Sequence, residues 1–186
     1  DDASGPDQLV DIAVQGPKSL AILQRACDSR ESRAALRDCK KSDFVETTLC
    51  GKIPVIVSRT GYTGETTGFE IYVHPDHAPK LWNGLLAAGE KHGIQRCGLG
   101  ARDSTRTEVG FPLYGHELAG DRNIIPHEAG YGAFVKRHKP FFVGRDAMIA
   151  REEASKVSVV RFKVNSDKAR AIRPHYPVAN SKGQKI

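Results

Sequence analysis

Ser58-Arg59-Thr60-Gly61-Tyr62-Thr63-Gly64-Glu65-Thr66-Thr67-Gly68 runs directly into Phe69-Glu70-Ile71-Tyr72-Val73. The second part alternates, with Phe69, Ile71 and Val73 on one face and Glu70, Tyr72 and His74 on the other. A period of two is that of a strand with one face against a core. The first part holds three glycines and four threonines, so it is a loop whose backbone can approach a ligand closely. It lacks the Gly-Lys-Ser/Thr ending of a phosphate-binding loop and leads into a strand, not a helix N-terminus, which excludes that reading. Hydroxyls flanked by Arg59, Tyr62 and Glu70 suit a flat polar heterocycle; they suit an ordinary surface loop equally well. Glu70 carries the same two readings. As part of a solvated outer face it is the common case for an antiparallel strand. As a pocket carboxylate it accepts two parallel hydrogen bonds from an aminopyrimidine-like edge. The residues alone favour the solvated face.

Outward from that strand, Leu9–Val14 alternates in the same way, and Gly16-Pro17 ends it. Pro17 suits the first position of a helix, whose face is predicted at Leu20, Leu23 and Cys27. A polar stretch follows, then extended segments at 45–49 and 53–57, with Cys50-Gly51-Lys52 as a hairpin connector. A helix is predicted over His77–His92 with an apolar stripe of Ala78, Leu81, Trp82, Leu85 and Leu86, ended by Gly93. Another is predicted from Leu99 to Val109, placing Arg102 and Arg106 on one face. Residues 110–129 read as ordered loop, 130–135 as a short strand and 144–154 as a helix. Residues 157–164 read as a strand and 170–186 as turn plus hairpin. The fold class is therefore α+β, with helices on a mostly antiparallel sheet. The domain boundary is placed so that 1–145 and 146–186 separate. The chain opens at Asp1 and closes on a turn entering strand-like residues, so it reads as a piece of a longer protein.

Composition narrows the classes. The 186 residues are 39% hydrophobic and 27% charged, which supports a core and excludes a disordered chain. No apolar run approaches the ~20 residues of a membrane-spanning helix. The net charge of +6 is spread along the chain apart from Lys136-Arg137-His138-Lys139, and no aromatic-interleaved basic motif accompanies it. Neither nucleic acid nor membrane is expected as a partner. Cys27, Cys39, Cys50 and Cys97 lack zinc-site spacing, so no metal is expected and free thiols in an intracellular setting are.

Arg102 and Arg106 fit either surface pairing with Asp103 or Glu108, or a grip on a substrate carboxylate. His116 and His127 are read as hydrogen-bonding loop residues. No Ser-His-Asp arrangement or nucleophile elbow is present.

The segments 58–65, 68–73, Cys97-Gly98-Leu99-Gly100-Ala101-Arg102-Asp103 and Pro112-Leu113-Tyr114-Gly115-His116-Glu117-Leu118 together resemble the glycine cleavage system T-protein family of aminomethyltransferases. Ala13-Val14-Gln15-Gly16-Pro17-Lys18 and Pro140-Phe141-Phe142-Val143-Gly144-Arg145 resemble it too, in the same order. The resemblance implies transfer of a methylene group from the aminomethyl-lipoyl arm of H-protein to tetrahydrofolate, with release of ammonia. It also implies a ferredoxin-like α+β folate-binding region at 1–145 and the start of a C-terminal β-barrel at 146–186. Glu70 would bind the pterin ring and Arg102 would be a second folate contact. Tyr62, Arg106 and Tyr114 would line the site. The family's catalytic aspartate falls upstream of residue 1, so no catalytic residue is expected here and the chain alone is expected to be inactive. The implied location is cytoplasmic, or mitochondrial in a eukaryote. Two alternatives share the fold: the folate domain of a sarcosine or dimethylglycine dehydrogenase, and a non-catalytic folate-binding protein. The Gly-Tyr-Thr-Gly-Glu and Pro-Leu-Tyr-Gly-His-Glu-Leu wording favours the T-protein, and the Cys-bearing loop of the non-catalytic relatives is absent.

Overall fold

The computed structural model describes residues 5–118, 123–155, 157–165 and 176–185. They fall into two compact units, Asp1–Leu113 and Tyr114–Ile186.

In the first unit the elements are β1 (Val10–Gln15), α1 (Ser19–Ala26), α2 (Arg30–Asp38), β2 (Phe44–Leu49), β3 (Ile53–Ser58), β4 (Gly68–Val73), α3 (Ala78–Gly89) and α4 (Leu99–Glu108). The four strands form one sheet in the order β1-β4-β3-β2, with every neighbouring pair antiparallel. This is the α+β arrangement read from the sequence. Its element order is β-α-α-β-β-β-α-α, whereas a ferredoxin-like unit runs β-α-β-β-α-β, because β2, β3 and β4 follow one another as a meander.

Alternation decides which face is inside. Ile12 and Val14, Ile53, Val55 and Val57, and Phe69, Ile71 and Val73 all turn to one side, where Leu23, Leu36, Leu81 and Leu85 of the helices meet them. Phe69, Ile71 and Val57 are fully shut off from solvent. Burying a side chain of this size stabilises by about 1.5–3 kcal/mol. The opposite face of the sheet carries Asp11, Ala13, Ser58, Glu70 and Tyr72.

Three local readings needed revision. The polar stretch after Cys27 contains α2, which Ser29 caps by accepting from the Ser32 amide at 3.0 Å. It buries only Leu36 and Ser32, so no apolar stripe marks it. Trp82, predicted on the buried stripe of α3, is 39% exposed; Leu81 and Leu85 carry that packing. The final turn of the helix predicted to His92 is a 3-10 turn over Glu90–His92, with Gly93 left-handed at φ +73°.

The β2–β3 connector is unusual in holding Cys50, Gly51 and Lys52 all at positive φ. Asp28 compensates, accepting from the Gly51 amide at 2.9 Å and the Lys52 amide at 2.8 Å. Burial pushes the Asp28 carboxyl upward, and these amide hydrogen bonds outweigh it and hold the group below its ordinary value. A lowered folded pKa contributes stability above the unfolded value, and that stability is lost as pH falls through the folded value. Asp28→Ala is expected to cost about 1–2 kcal/mol at neutral pH. Urea denaturation should show that difference, and it should shrink below the unperturbed aspartate pKa of about 4.

The second unit contains α5 (Arg145–Ala154) and a 3-10 turn at Gly132–Phe134. The strand predicted at 130–135 is that turn, because Gly130 takes φ +80° and breaks the extended run. The strand predicted at 157–164 has no ladder partner among the described residues; Val157, Val160, Phe162 and Val164 are exposed. The Val159 amide donates to the Glu128 carbonyl at 2.8 Å. Glu128, 3% exposed, ties the unit together by accepting from the Ile125 amide (2.9 Å) and the Ser155 hydroxyl (2.8 Å). Those bonds, the amide first, hold its carboxyl below the ordinary range. Of the hairpin predicted at 170–186, residues 170–175 and 186 lie outside the described residues. Within 176–185 a turn closes through the Asn180 amide, 2.9 Å from the Gln184 carbonyl, with Ala179 bridging Lys185.

Candidate functional site

Glu70 lies on the open face of β4, directly across from Ala13 of β1 and Ser58 of β3. It is half-buried, and its Oε2 accepts a short hydrogen bond from the Thr60 hydroxyl. Ser58 Oγ lies 3.0 Å from the same hydroxyl. Small neighbours on either side leave the carboxylate room; the hydroxyls fix its orientation.

Two residues along, Tyr72 faces Asp11 across the β1–β4 ladder. Asp11 and Glu70 are therefore diagonal neighbours on one face, a spacing at which side chains interact. The electrostatics agree. Burial pushes the Asp11 carboxyl up, Glu70 adds to the rise, and Arg102 and a hydrogen bond from the Ile71 backbone pull it down. The Tyr72 phenol is raised by burial, then by Glu70 and Asp11. Arg102, in the first turn of α4, is thus near enough to Asp11 to act on its charge. It is exposed, and among the described residues its guanidinium has no hydrogen-bonded partner.

What brings α4 to this side is the 59–68 loop. Tyr62 packs its ring 5.2 Å from that of Phe111, just past the helix. A Cβ on Gly64, which sits at φ +83°, would lie 2.2 Å from Val109 Cγ1, so glycine there admits the end of the helix. Gln15 holds the two ends of the loop. Its Nε2 donates to the carbonyls of Thr60 (3.3 Å) and Phe69 (3.2 Å), and its Oε1 accepts from the Thr63 hydroxyl (3.2 Å). A Cβ on Gly61 or Gly68 would come within 2.2 Å of that amide. The loop glycines thus make room for Gln15 and Val109.

Arg106 is only 4% exposed. It pairs with Asp103 one turn back and donates to the Phe111 carbonyl at 3.3 Å, which braces the segment that Tyr62 packs on. Of the five residues singled out from sequence, then, Glu70 lies on the open face of the sheet, and Arg102 acts on the charge of Asp11 beside it. Tyr62 and Arg106 build the support between them. Tyr114 lies in the second unit, 81% exposed. Sequence reading passed over Gln15, Thr60 and Asp11. Asp11 alone had a usable signal, a charged residue inside an alternating apolar strand.

All four cysteines are free, and burial pushes the Cys27 thiol up to about 11 and raises those of Cys39 and Cys50. In the second unit His127 Nδ1 lies 3.0 Å from Glu152, which Arg137 also contacts at 3.1 Å, beside an open hollow of about 470 Å³. Among the described residues no helix is long and apolar enough to cross a membrane.

Comparison with known proteins adds a separate line. Residues 3–139 match the family described as the GCVT N-terminal domain. An aminomethyltransferase of Caldanaerobacter subterraneus is 45% identical over 147 residues, covering 79% of this chain and 37% of that protein. One from Shouchella clausii is 48% identical over 143 residues, covering 76% and 37%. The crystal structure of glycine cleavage system aminomethyltransferase T from Bartonella henselae superposes with a TM-score of 0.69 at 26% identity, covering 96% of this chain and 46% of that one. The chain spans about two fifths of the length of the curated relatives it matches.

Proposed function

The chain belongs to the GCVT N-terminal domain family, and from that membership we propose that it is the folate-binding portion of a glycine cleavage system aminomethyltransferase. The whole enzyme takes the aminomethyl group carried on the lipoyl arm of H-protein, releases ammonia and leaves the methylene on tetrahydrofolate. The observation that carries this reading is the identity of 41–48% to proteins named aminomethyltransferase over most of this chain.

The chemistry of the site supports it. Glu70, oriented by Thr60, is the type of group that accepts two parallel N–H bonds from the aminopyrimidine edge of the pterin. Arg102, with its fork of donors uncommitted among the described residues, suits the carboxylate-bearing end of folate. Tyr62 and Arg106 hold the loop and helix that carry these two. Transfer also needs a group to protonate the departing amine and align the reacting nitrogens. That aspartate belongs upstream of residue 1, so this chain binds folate without turning it over. In the same reading the first region is a variant of the ferredoxin-like folate domain. The alternating residues 157–164 belong to a C-terminal β-barrel beginning at 146. The setting is the bacterial cytoplasm or the mitochondrion, with H-protein as the macromolecular partner and neither nucleic acid nor membrane involved.

Calorimetric titration with tetrahydrofolate tests the proposal. Saturable binding of one molecule per chain is expected, with no methylenetetrahydrofolate formed when aminomethyl-loaded H-protein is added. Absence of binding would overturn the reading, and turnover near that of a full-length enzyme would overturn its division of labour.

A further inference from the structure

Nothing in the family match or in the motifs points to Asp11, yet it stands where the two ligand-binding candidates meet. On β1 it faces Tyr72 and sits diagonal to Glu70, with Ala13 leaving open the position across from Glu70. Arg102 on α4 acts on the charge of the same carboxyl and lowers its pKa. The charged and titratable groups facing Asp11 are thus Glu70 and Tyr72 from β4 and Arg102 from α4, with the Ile71 backbone contributing a hydrogen bond. Two carboxyl groups on adjacent strands make an acidic edge wider than a single bidentate acceptor. The ionised form of Asp11 is disfavoured without a ligand, first by its partial desolvation and then by the like charge of Glu70. A ligand presenting a row of N–H donors relieves that repulsion, because each donor brings partial positive charge to an oxygen that needs it.

We propose that Asp11 is a specificity-determining residue of the folate site. Its carboxylate extends the acceptor edge begun by Glu70 and takes the remaining hydrogen of the pterin's exocyclic amine. This inference rests on the reading of Glu70 as the pterin anchor and adds a second contact to it. Arg102 keeps the pair from carrying two uncompensated charges. Asp11 accepts as the ionised form, so affinity rises with pH as its proton leaves, and burial raises that carboxyl from its ordinary value.

The test titrates tetrahydrofolate into the unaltered chain, Asp11→Ala, Asp11→Asn and Glu70→Ala, with a thermal melt of each. Loss of one charge-assisted hydrogen bond is expected to weaken binding about tenfold in either Asp11 variant. The rise of affinity with pH as Asp11 loses its proton is expected to flatten in Asp11→Asn, which keeps the shape and loses the charge. If the alanine variant fails to fold, the asparagine variant decides. Full binding and an unchanged pH profile in Asp11→Asn, with binding lost in Glu70→Ala, would overturn the role of Asp11 and leave the folate reading intact. Absence of binding by the unaltered chain would remove both.

Discussion

Glu70→Ala is expected to weaken tetrahydrofolate binding about 100-fold while leaving the melting curve of the chain essentially unchanged. A hydrogen bond to a charged acceptor is worth about 1.5–3 kcal/mol, and a bidentate carboxylate makes two. Losing the pair while the ligand's N–H groups recover water leaves a net deficit of about 3 kcal/mol, which is the hundredfold factor. Stability should hold because Glu70 is on the open side of β4 and packs no core; substitutions at such positions change stability by about 0.5 kcal/mol or less. Glu70→Gln sharpens the test. It keeps the volume but turns one acceptor into a donor aimed at the ligand's own N–H, so it should bind no better than the alanine variant. Calorimetry with a melt on the same samples separates the two effects. Binding by Glu70→Ala equal to that of the unaltered chain would show that the acidic edge is not the anchor.

How much of this was legible beforehand depends on whether a feature lives in one strand or in the pairing of several. The alternation of Phe69, Glu70, Ile71 and Tyr72 is written in the residues themselves, so the strand, its buried face and the outward direction of Glu70 were all readable. Asp11 sits in an equally plain strand, but its meaning comes from the register that sets it across from Tyr72 and diagonal to Glu70. Register is fixed by long-range pairing, which a single sequence does not display. The glycines of the 59–68 loop were correctly read as places of close approach, with the wrong occupant. Gly61 and Gly68 admit Gln15, and Gly64 admits Val109, contacts across 45 or more residues. Helix α2 was missed because tertiary contacts at Leu36 and the Ser32–Thr47 hydroxyl pair hold it, and neither forms a stripe. The segment 157–164 shows the converse: alternation describes which residues want burial and does not supply the neighbouring strand.

Local charge, not the total, decides what the open face attracts. The chain as a whole is at +6, which alone would favour anions. Yet a charge farther than about 8 Å is largely screened at physiological ionic strength. On its open face the sheet sets Asp11 diagonal to Glu70, an acidic edge on which Arg102 acts. A molecule with an N–H-rich ring at one end and carboxylates at the other matches both signs at once. A polyphosphate or nucleic acid backbone would meet two carboxylates where it needs cations.

Phe69→Ala, one residue before the proposed anchor, is expected to do the opposite of Glu70→Ala. The ring is fully shut off from solvent and lies across from Val14 in the ladder, and its own carbonyl accepts the Gln15 amide that holds the loop. Deleting a buried phenyl ring costs about 3–5 kcal/mol, because the transfer loss is joined by the cavity left behind. Against a typical total stability of about 5–15 kcal/mol, that leaves the first unit marginal or unfolded. Phe69→Leu keeps most of the volume and should cost about 1.5 kcal/mol or less. Trp82, the single tryptophan, lies in that unit on α3, so its fluorescence during urea denaturation reports this core. A Phe69→Ala chain that unfolds at the same urea concentration as the unaltered one would mean that β4 does not pack as described. A chain that unfolds early yet binds tetrahydrofolate when native buffer conditions are restored by ligand excess would fit. Mass action then pulls the folded population back, and the two faces of one strand are separated, ring inward for stability and carboxylate outward for recognition.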